Sequence, residues 1–243
     1  MFVAIDFSRF KTLFVSHLKD MLSEPAPGAF ILVLANSRQD AFLRGELEID
    51  LEATFSSLRA EAIDGQLDAP QDDVDVFRQL LSAELHNIPV WQSRTAGAWQ
   101  VTCNSMRRLR PARSSLQVFE SIRQPFDDSK FHFNKPFLEP EILWQGEFNG
   151  HQLKVLYNKF PFSDYHMLIA FDAGKKLPQV MTQALHQANC VLVDTSAECL
   201  PGFGIGFNSL AAGASVNHLH CQGFIRLPAF PIEDLSLIHI SEP

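Results

Sequence analysis

A chain of 243 residues has room for one large domain or two small ones, and 46% apolar residues with 21 Phe supply a substantial core. The formal net charge of −8 excludes general affinity for nucleic acid or an anionic membrane surface. No run reaches the about 18 consecutive apolar residues of a membrane span, the N-terminal MFVAIDFSRFKTLF lacks a leader pattern, and Cys103, Cys190, Cys199 and Cys221 form no CxxC pair, so a reduced, cytoplasmic setting is expected.

Residues 8 to 23 read as an amphipathic helix, with Phe10, Leu13, Phe14, Leu18 and Met21 at helical spacing after Ser8 as cap. Pro25 and Pro27 end it. GAFILVLAN (28 to 36) suits a buried strand or a helix segment, and its length does not decide between them. Residues 37 to 75 are polar, acidic and weakly patterned. A second helix is predicted from about Val74 to Leu85, with Phe77, Leu80, Leu81 and Leu85 on one face. Residues 98 to 122 read as extended, interrupted at Pro111. Arg107, Arg108, Arg110 and Arg113 cluster there, either as a solvated basic turn or as a clamp for a phosphate.

From Glu141 the pattern sharpens. EILWQGEF and HQLKVLYN flank Asn149-Gly150, a strong hairpin signal, and YHMLIAFD (165 to 172) reads as a third strand. In LPQVMTQALHQANCVLVDTS, Leu177, Val180, Met181, Ala184, Leu185, Ala188, Val191 and Leu192 recur at helical period. GFGIGFNSL and HLHCQGFIR read as two further strands around a loop of small residues. The order strand, strand, strand, helix, strand, strand implies an α+β layer with a mainly antiparallel sheet and one packed helix, preceded by a helical or mixed region.

Within the last of these strands stands His218-Leu219-His220-Cys221-Gln222. Alternation puts His218, His220 and Gln222 on one face, with Leu219 and Cys221 pointing into the core. Three readings remain open. The face is simply solvated, or the two His chelate zinc, or a neutral imidazole attacks phosphorus and carries a nucleotidyl group. The third needs donors for phosphoryl oxygens, which Gln222 and Ser209 supply, and close backbone approach, which Gly213 permits.

HxHxQ after NSLxAxAxxNHLH resembles the histidine-triad superfamily, in the branch that carries Gln in place of the third His. GFNSL…ASVNHLH is similar to the GDP-hexose phosphorylase family, which includes the GDP-L-galactose and GDP-D-glucose phosphorylases. QPFDDSKFHFNK (124 to 135) resembles that family's QPFDGxKFNFTK, RRLRP (107 to 111) its KKRP, and FPIE (230 to 233) its continuation after the site. HxHxQ alone is shared with galactose-1-phosphate uridylyltransferases and dinucleoside tetraphosphate phosphorylases. The resemblance runs from about Trp91 to Asp234, so residues 1–90 are expected to form an N-terminal mixed region and 91–234 a nucleotidyltransferase domain. The last nine residues, LSLIHISEP (235–243), read as the translation of a common transposase sequencing adapter, CTG TCT CTT ATA CAC ATC TCC GAG CCC. They are expected to be foreign, with the natural chain continuing past Asp234.

The resemblance implies a double displacement on a nucleotide sugar with orthophosphate as second substrate, and no cofactor or metal. His220 would attack the α-phosphorus, His218 would bond the phosphate region or its neighbours, and Gln222 would bind a non-bridging oxygen. Asn208 and Ser209 match the family's NS and would meet phosphate oxygens. Asn158 and His166 lie where the superfamily has an Asn before a proline-containing turn and a His opening the next strand. Lys130, Lys135, Arg107, Arg108 and Arg110 are further candidates for phosphate. Cys221, Gly223 and Asp128 depart from the family pattern, and Cys221 is expected to pack inward rather than react.

Overall fold

The computed structural model describes residues 6–82, 84–97, 99–111 and 121–226. Arg113, the FPIE segment and residues 235–243 lie outside them.

Four helices come first. Helix α1 (Phe7–Met21) is capped two residues earlier than Ser8 implies: the Asp6 carboxylate accepts from the Arg9 N–H at 3.0 Å. It buries Phe10, Phe14, Val15, Leu18 and Met21. The ambiguous apolar run is helix α2 (Pro27–Ser37), with proline at its first turn. Phe30 to Ala35 are all fully buried, because α2 is enclosed by its neighbours and needs no polar stripe.

The weakly patterned acidic stretch is helix α3 (Ala41–Ile63), capped by Asp40 onto the Leu43 N–H at 2.7 Å. Its buried side is narrow, only Leu43, Leu47, Leu51, Thr54 and Leu58. Helix α4 (Gln71–Leu81) begins before Val74 and ends before Leu85, which sits in a separate 3-10 turn. Buried Arg38, at the end of α2, bonds Glu48 on α3 at 2.6 and 3.3 Å and the Leu85 carbonyl at 3.0 Å.

Strands β1 (Gln92–Ala96) and β2 (Trp99–Cys103) form an antiparallel hairpin. The expected extended run therefore stops at Cys103, where the Asn104 side chain accepts from the Met106 N–H and opens a 3-10 turn over Ser105–Leu109.

The main sheet holds β3 (Ile142–Phe148), β4 (His151–Tyr157), β5 (Met167–Phe171), β6 (Phe203–Gly206) and β7 (His220–Ile225), in the order β3-β4-β5-β7-β6. All neighbours are antiparallel. Asn149 and Gly150 turn the β3–β4 hairpin with φ of 47° and 78°, the pair of positive values that lets a two-residue turn follow the strand twist. Helix α5 (Gln183–Ser196) is shorter than its periodicity suggests. Thr182 caps it at the Leu185 N–H, so Leu177, Val180 and Met181 precede it, while Ala184 and Val191 are exposed.

Strand alternation splits the sheet into two faces. Leu153, Val155, Ile169, Cys221 and Ile225 join the helices in one continuous core that begins at Phe10. The other face carries Leu156 and Ala170 beneath Phe133, Leu138 and Ala173. His220 pairs with Ala170 and Gln222 with Leu168, which puts both polar residues on this second face. Among the described residues no helix is long and apolar enough to cross a membrane.

Candidate active site

His220 opens β7 and is 6% exposed. Its Nδ1 lies 2.8 Å from the carbonyl oxygen of His218. A carbonyl can only accept, so Nδ1 carries the proton and Nε2 carries the lone pair. Burial pushes the imidazole down to about pKa 4, against the bond to the His218 carbonyl. At neutral pH the ring is therefore an uncharged base with a defined tautomer.

His218 precedes the strand rather than standing on it, and it is fully buried. The Phe133 N–H donates to its Nδ1 at 3.0 Å, and its Nε2–H donates to the Ala173 carbonyl at 3.0 Å. Both nitrogens are used by neighbouring backbone, so of the two partners expected for His218, the phosphate region or its neighbours, the structure shows the neighbours. His218 holds its own carbonyl where His220 needs it. The zinc reading meets the same geometry, since three of the four ring nitrogens of this pair bond backbone.

The QPFD segment packs against these histidines. The Asn217 amide donates to the Gln124 and Pro125 carbonyls at 3.2 and 2.7 Å. The Phe126 ring stands 5.0 Å from the His218 ring, and the Phe133 ring 5.6 Å from His218 and 4.9 Å from His220. The segment folds over the two histidines and excludes water from them. Its lysines do less. Lys130 is exposed, and the Lys135 ammonium donates to the Asp128 carbonyl at 3.3 Å. Asp128 pairs with Lys176 at 2.6 Å.

His166 is fully buried beside Gln222. The Phe162 N–H donates to its Nδ1 at 3.2 Å, which leaves Nε2–H to donate to the Gln222 Oε1 at 3.0 Å. Burial above all, with Arg107 and Arg110 nearby, pushes His166 down to about pKa 3. The Gln222 carboxamide is thereby oriented with its oxygen inward and its NH2 donors turned outward. Asn158 closes the preceding loop, its Oδ1 accepting from the Phe160 N–H at 2.9 Å, and its amide nitrogen lies 3.3 Å from His166 Nε2.

Arg107 donates to the Phe160 carbonyl at 2.7 Å and lies 5.5 Å over the Phe162 ring, itself 4.3 Å from His166. Arg107 and Arg110 thus come to this end of the site, whereas Arg108 is exposed and shares none of these contacts among the described residues. On the far side of β7, the loop after β6 turns at Ala211 and Gly213, with φ of 62° and 99°. A Cβ on Gly213 would stand 3.3 Å from the Asn208 amide nitrogen. The Ser209 hydroxyl donates within its own loop, to the Leu210 carbonyl at 3.2 Å.

Cys221 faces the core as expected. It is fully buried, accepts from the Asn189 amide at 3.3 Å, and burial pushes its thiol up to about 11. Sequence reading gave no role to Gln179, whose side chain bonds the His220 backbone, or to Phe133 and Ala173, whose backbone groups bond the His218 ring. Phe133 lies in the quoted QPFD segment, and Gln179 is a polar residue inside the run Leu177-Pro178-Gln179-Val180; Ala173 carried no signal.

No solved structure matches the chain. It is 39% identical over 114 residues to GDP-D-glucose phosphorylase 1 of Danio rerio, covering 46% of this chain and 32% of the relative. With the Homo sapiens protein of the same name it shares 34% over 130 residues, 50% of this chain and 33% of the relative. With GDP-L-galactose phosphorylase 2 of Arabidopsis thaliana it shares 29% over 158 residues, 57% and 36% of the two chains. The chain spans about a third of the length of these curated relatives. The family model described as "GDPGP1-like, N-terminal domain" matches residues 97–224, from the β1–β2 turn to the last residue but one of the His220 strand. With more than half of its length inside that model, the chain belongs to the GDPGP1-like N-terminal domain family.

Proposed function

We propose that the chain carries the nucleotidyl-transfer site of a GDP-hexose phosphorylase. The lone pair on His220 Nε2 attacks the α-phosphorus of a GDP-hexose. A P–N bond forms, the bridging P–O bond breaks, and hexose 1-phosphate leaves with the electron pair. Orthophosphate then attacks the same phosphorus. The P–N bond breaks, GDP departs, and His220 returns to its neutral form.

One observation carries this reading: Nδ1 of His220 is committed to the His218 carbonyl at 2.8 Å, which puts the nucleophilic pair on Nε2. Splitting one displacement into two requires a nucleophile unprotonated at neutral pH, and burial supplies it. Gln222 supports the transition state with its outward NH2 donors on a non-bridging oxygen. A neutral amide suits a sugar phosphate leaving group, which needs little protonation. Arg107 and Arg110 supply positive charge at the same end, and Asn208 and Ser209 border the phosphate from the opposite loop. Lys130 and Lys135 serve as more distant cations on the covering segment.

The partners of this reading are small molecules, a nucleotide sugar and orthophosphate. Exposed free Cys103 and Cys190 suit a reducing, cytoplasmic setting.

Intact-protein mass after incubation with GDP-glucose, GDP-mannose, GDP-galactose, UDP-glucose or diadenosine tetraphosphate, without orthophosphate, tests the reading. A guanylyl adduct that disappears in His220→Ala is expected. Folded protein that takes no adduct from any of these donors would overturn the double displacement.

A further inference from the structure

We infer that Gln179 is a positioning residue for the nucleophile, a side-chain amide that stands in for the missing end of strand β6. The inference rests on the role proposed for His220.

The need comes from the sheet. On one edge β7 pairs with β5, where His220 stands opposite Ala170. On its other edge β6 ends at Gly206, opposite Gln222. The backbone N–H and C=O of His220 therefore lie beyond the last partner residue of β6. Both are buried, and buried backbone groups need partners. Gln179 provides them. Its Oε1 accepts from the His220 N–H at 2.8 Å, and its Nε2 donates to the His220 carbonyl at 2.9 Å. The pair reproduces what a peptide of a neighbouring strand would offer.

The second proton on Nε2 has a separate use. It donates to the Asn208 carbonyl at 2.8 Å. One carboxamide thus joins the backbone of the nucleophile to the first residue of the small-residue loop proposed to border the phosphate. Both amide protons and the oxygen are occupied.

Gln179 is itself held. It is 1% exposed, and its backbone N–H donates to the Asn217 side chain at 3.0 Å. Two residues earlier the Leu177 carbonyl accepts from the Leu219 N–H at 2.8 Å. Segment 177–179 therefore runs beside 217–220 as a short surrogate strand, and Thr182 then caps α5.

The consequence is kinetic. The His220 ring is fixed to its own backbone through the His218 carbonyl, so the line of attack is set by where that backbone sits relative to the Asn208 loop. Displacements near 1 Å cost about 100-fold in a well-oriented displacement. Gln179→Met keeps the volume and removes all three bonds. Gln179→Glu keeps an acceptor for the His220 N–H and sets an anionic oxygen against two carbonyls.

The test measures single-turnover guanylylation of the full chain by GDP-hexose, with nucleotide Kd and thermal unfolding measured in parallel. Both variants should bind GDP within about 3-fold of the parent, yet transfer the guanylyl group about 100-fold more slowly at temperatures where they are fully folded. A folded Gln179→Met variant that transfers at the parent rate would overturn the inference and leave the proposed function standing. A parent that forms no adduct sinks both together. Hydrogen exchange on the parent keeps the matter decidable if neither variant folds. The His220 amide should exchange as slowly as the Cys221 and Ile169 amides inside the sheet. Exchange 100-fold faster than theirs shows that the clamp is open in solution and removes the inference.

Discussion

The Nε2–H of His166 donates to the Oε1 of Gln222 at 3.0 Å, across the β5–β7 boundary of the sheet. An amide alone can turn either end outward. Here a buried, neutral histidine selects which end turns outward. Gln222→Glu keeps the acceptor for His166 but replaces the outward donors with a negative oxygen. Guanylylation should fall about 10²- to 10³-fold, the usual loss when a transition-state donor is removed. His166→Phe should fall about 10-fold through disorder of the amide. Single-turnover rates check both, and a Gln222→Glu variant at the parent rate would remove Gln222 from the chemistry.

The histidines also set the acid side of stability. His220 and His166 titrate near 4 and 3 in the folded chain, against an ordinary value of 6.5. The unfolded chain binds more protons between these limits, so stability rises with pH across that interval. Above about pH 6.5 neither histidine contributes a slope, and below it each destabilises the fold until its folded pKa is reached. Urea midpoints should be flat from pH 7 to 8 and fall on going from pH 7 to 5. Guanylylation should keep its rate down to about pH 5 and fail as His220 protonates near pH 4.

The helical layer reaches the site through two amides at the end of α2. The Gln39 Oε1 accepts from the Tyr165 N–H at 2.5 Å, and the Asn36 amide donates to the Asn158 carbonyl at 3.0 Å. Tyr165 has φ of 49°, an unusual value for a bulky residue, one position before His166. Gln39→Ala leaves that N–H buried without a partner and should cost about 1–3 kcal/mol. A lower denaturation midpoint with a slower guanylyl transfer is expected, because the His166 loop loses its anchor.

Gly223 stands where a side chain has no room. A Cβ there would stand 2.8 Å from Ile169 Cδ1 and 3.4 Å from the Phe203 ring. Gly223→Ala should destabilise by about 1–2 kcal/mol through overpacking. Adding Ile169→Val removes the closest atom and should recover part of that loss. Denaturant unfolding of the two single variants and the double variant measures the coupling; additive losses would place the clash elsewhere.

Local chemistry explains which elements were legible. The β3–β4 hairpin follows from Asn149-Gly150, whose positive φ values are a property of those two residues. The inward direction of Cys221 follows from alternation alone. Helix α3 was hidden because its apolar side is about one residue per turn, Leu43, Leu47, Leu51 and Leu58, amid acidic residues. Helix α2 stayed ambiguous because a segment enclosed on all sides shows no period. The start of α5 was misplaced because Leu177, Val180 and Met181 continue the helical spacing while serving a loop that runs beside β7.

The same division holds at the site. By itself the sequence determined that His220 and Gln222 share a sheet face, that Cys221 lies behind them, and that a turn of small residues precedes them. Those are consequences of a two-residue period and of glycine. Tertiary structure alone decided the protonation of His220 Nδ1, the structural duty of His218, the direction of the Gln222 amide and the clamp by Gln179. Each of these is a hydrogen bond between groups 2 to 85 positions apart, many of them to backbone. Backbone donors and acceptors are the same at every residue, so no side-chain pattern announces which one a distant amide or imidazole will meet.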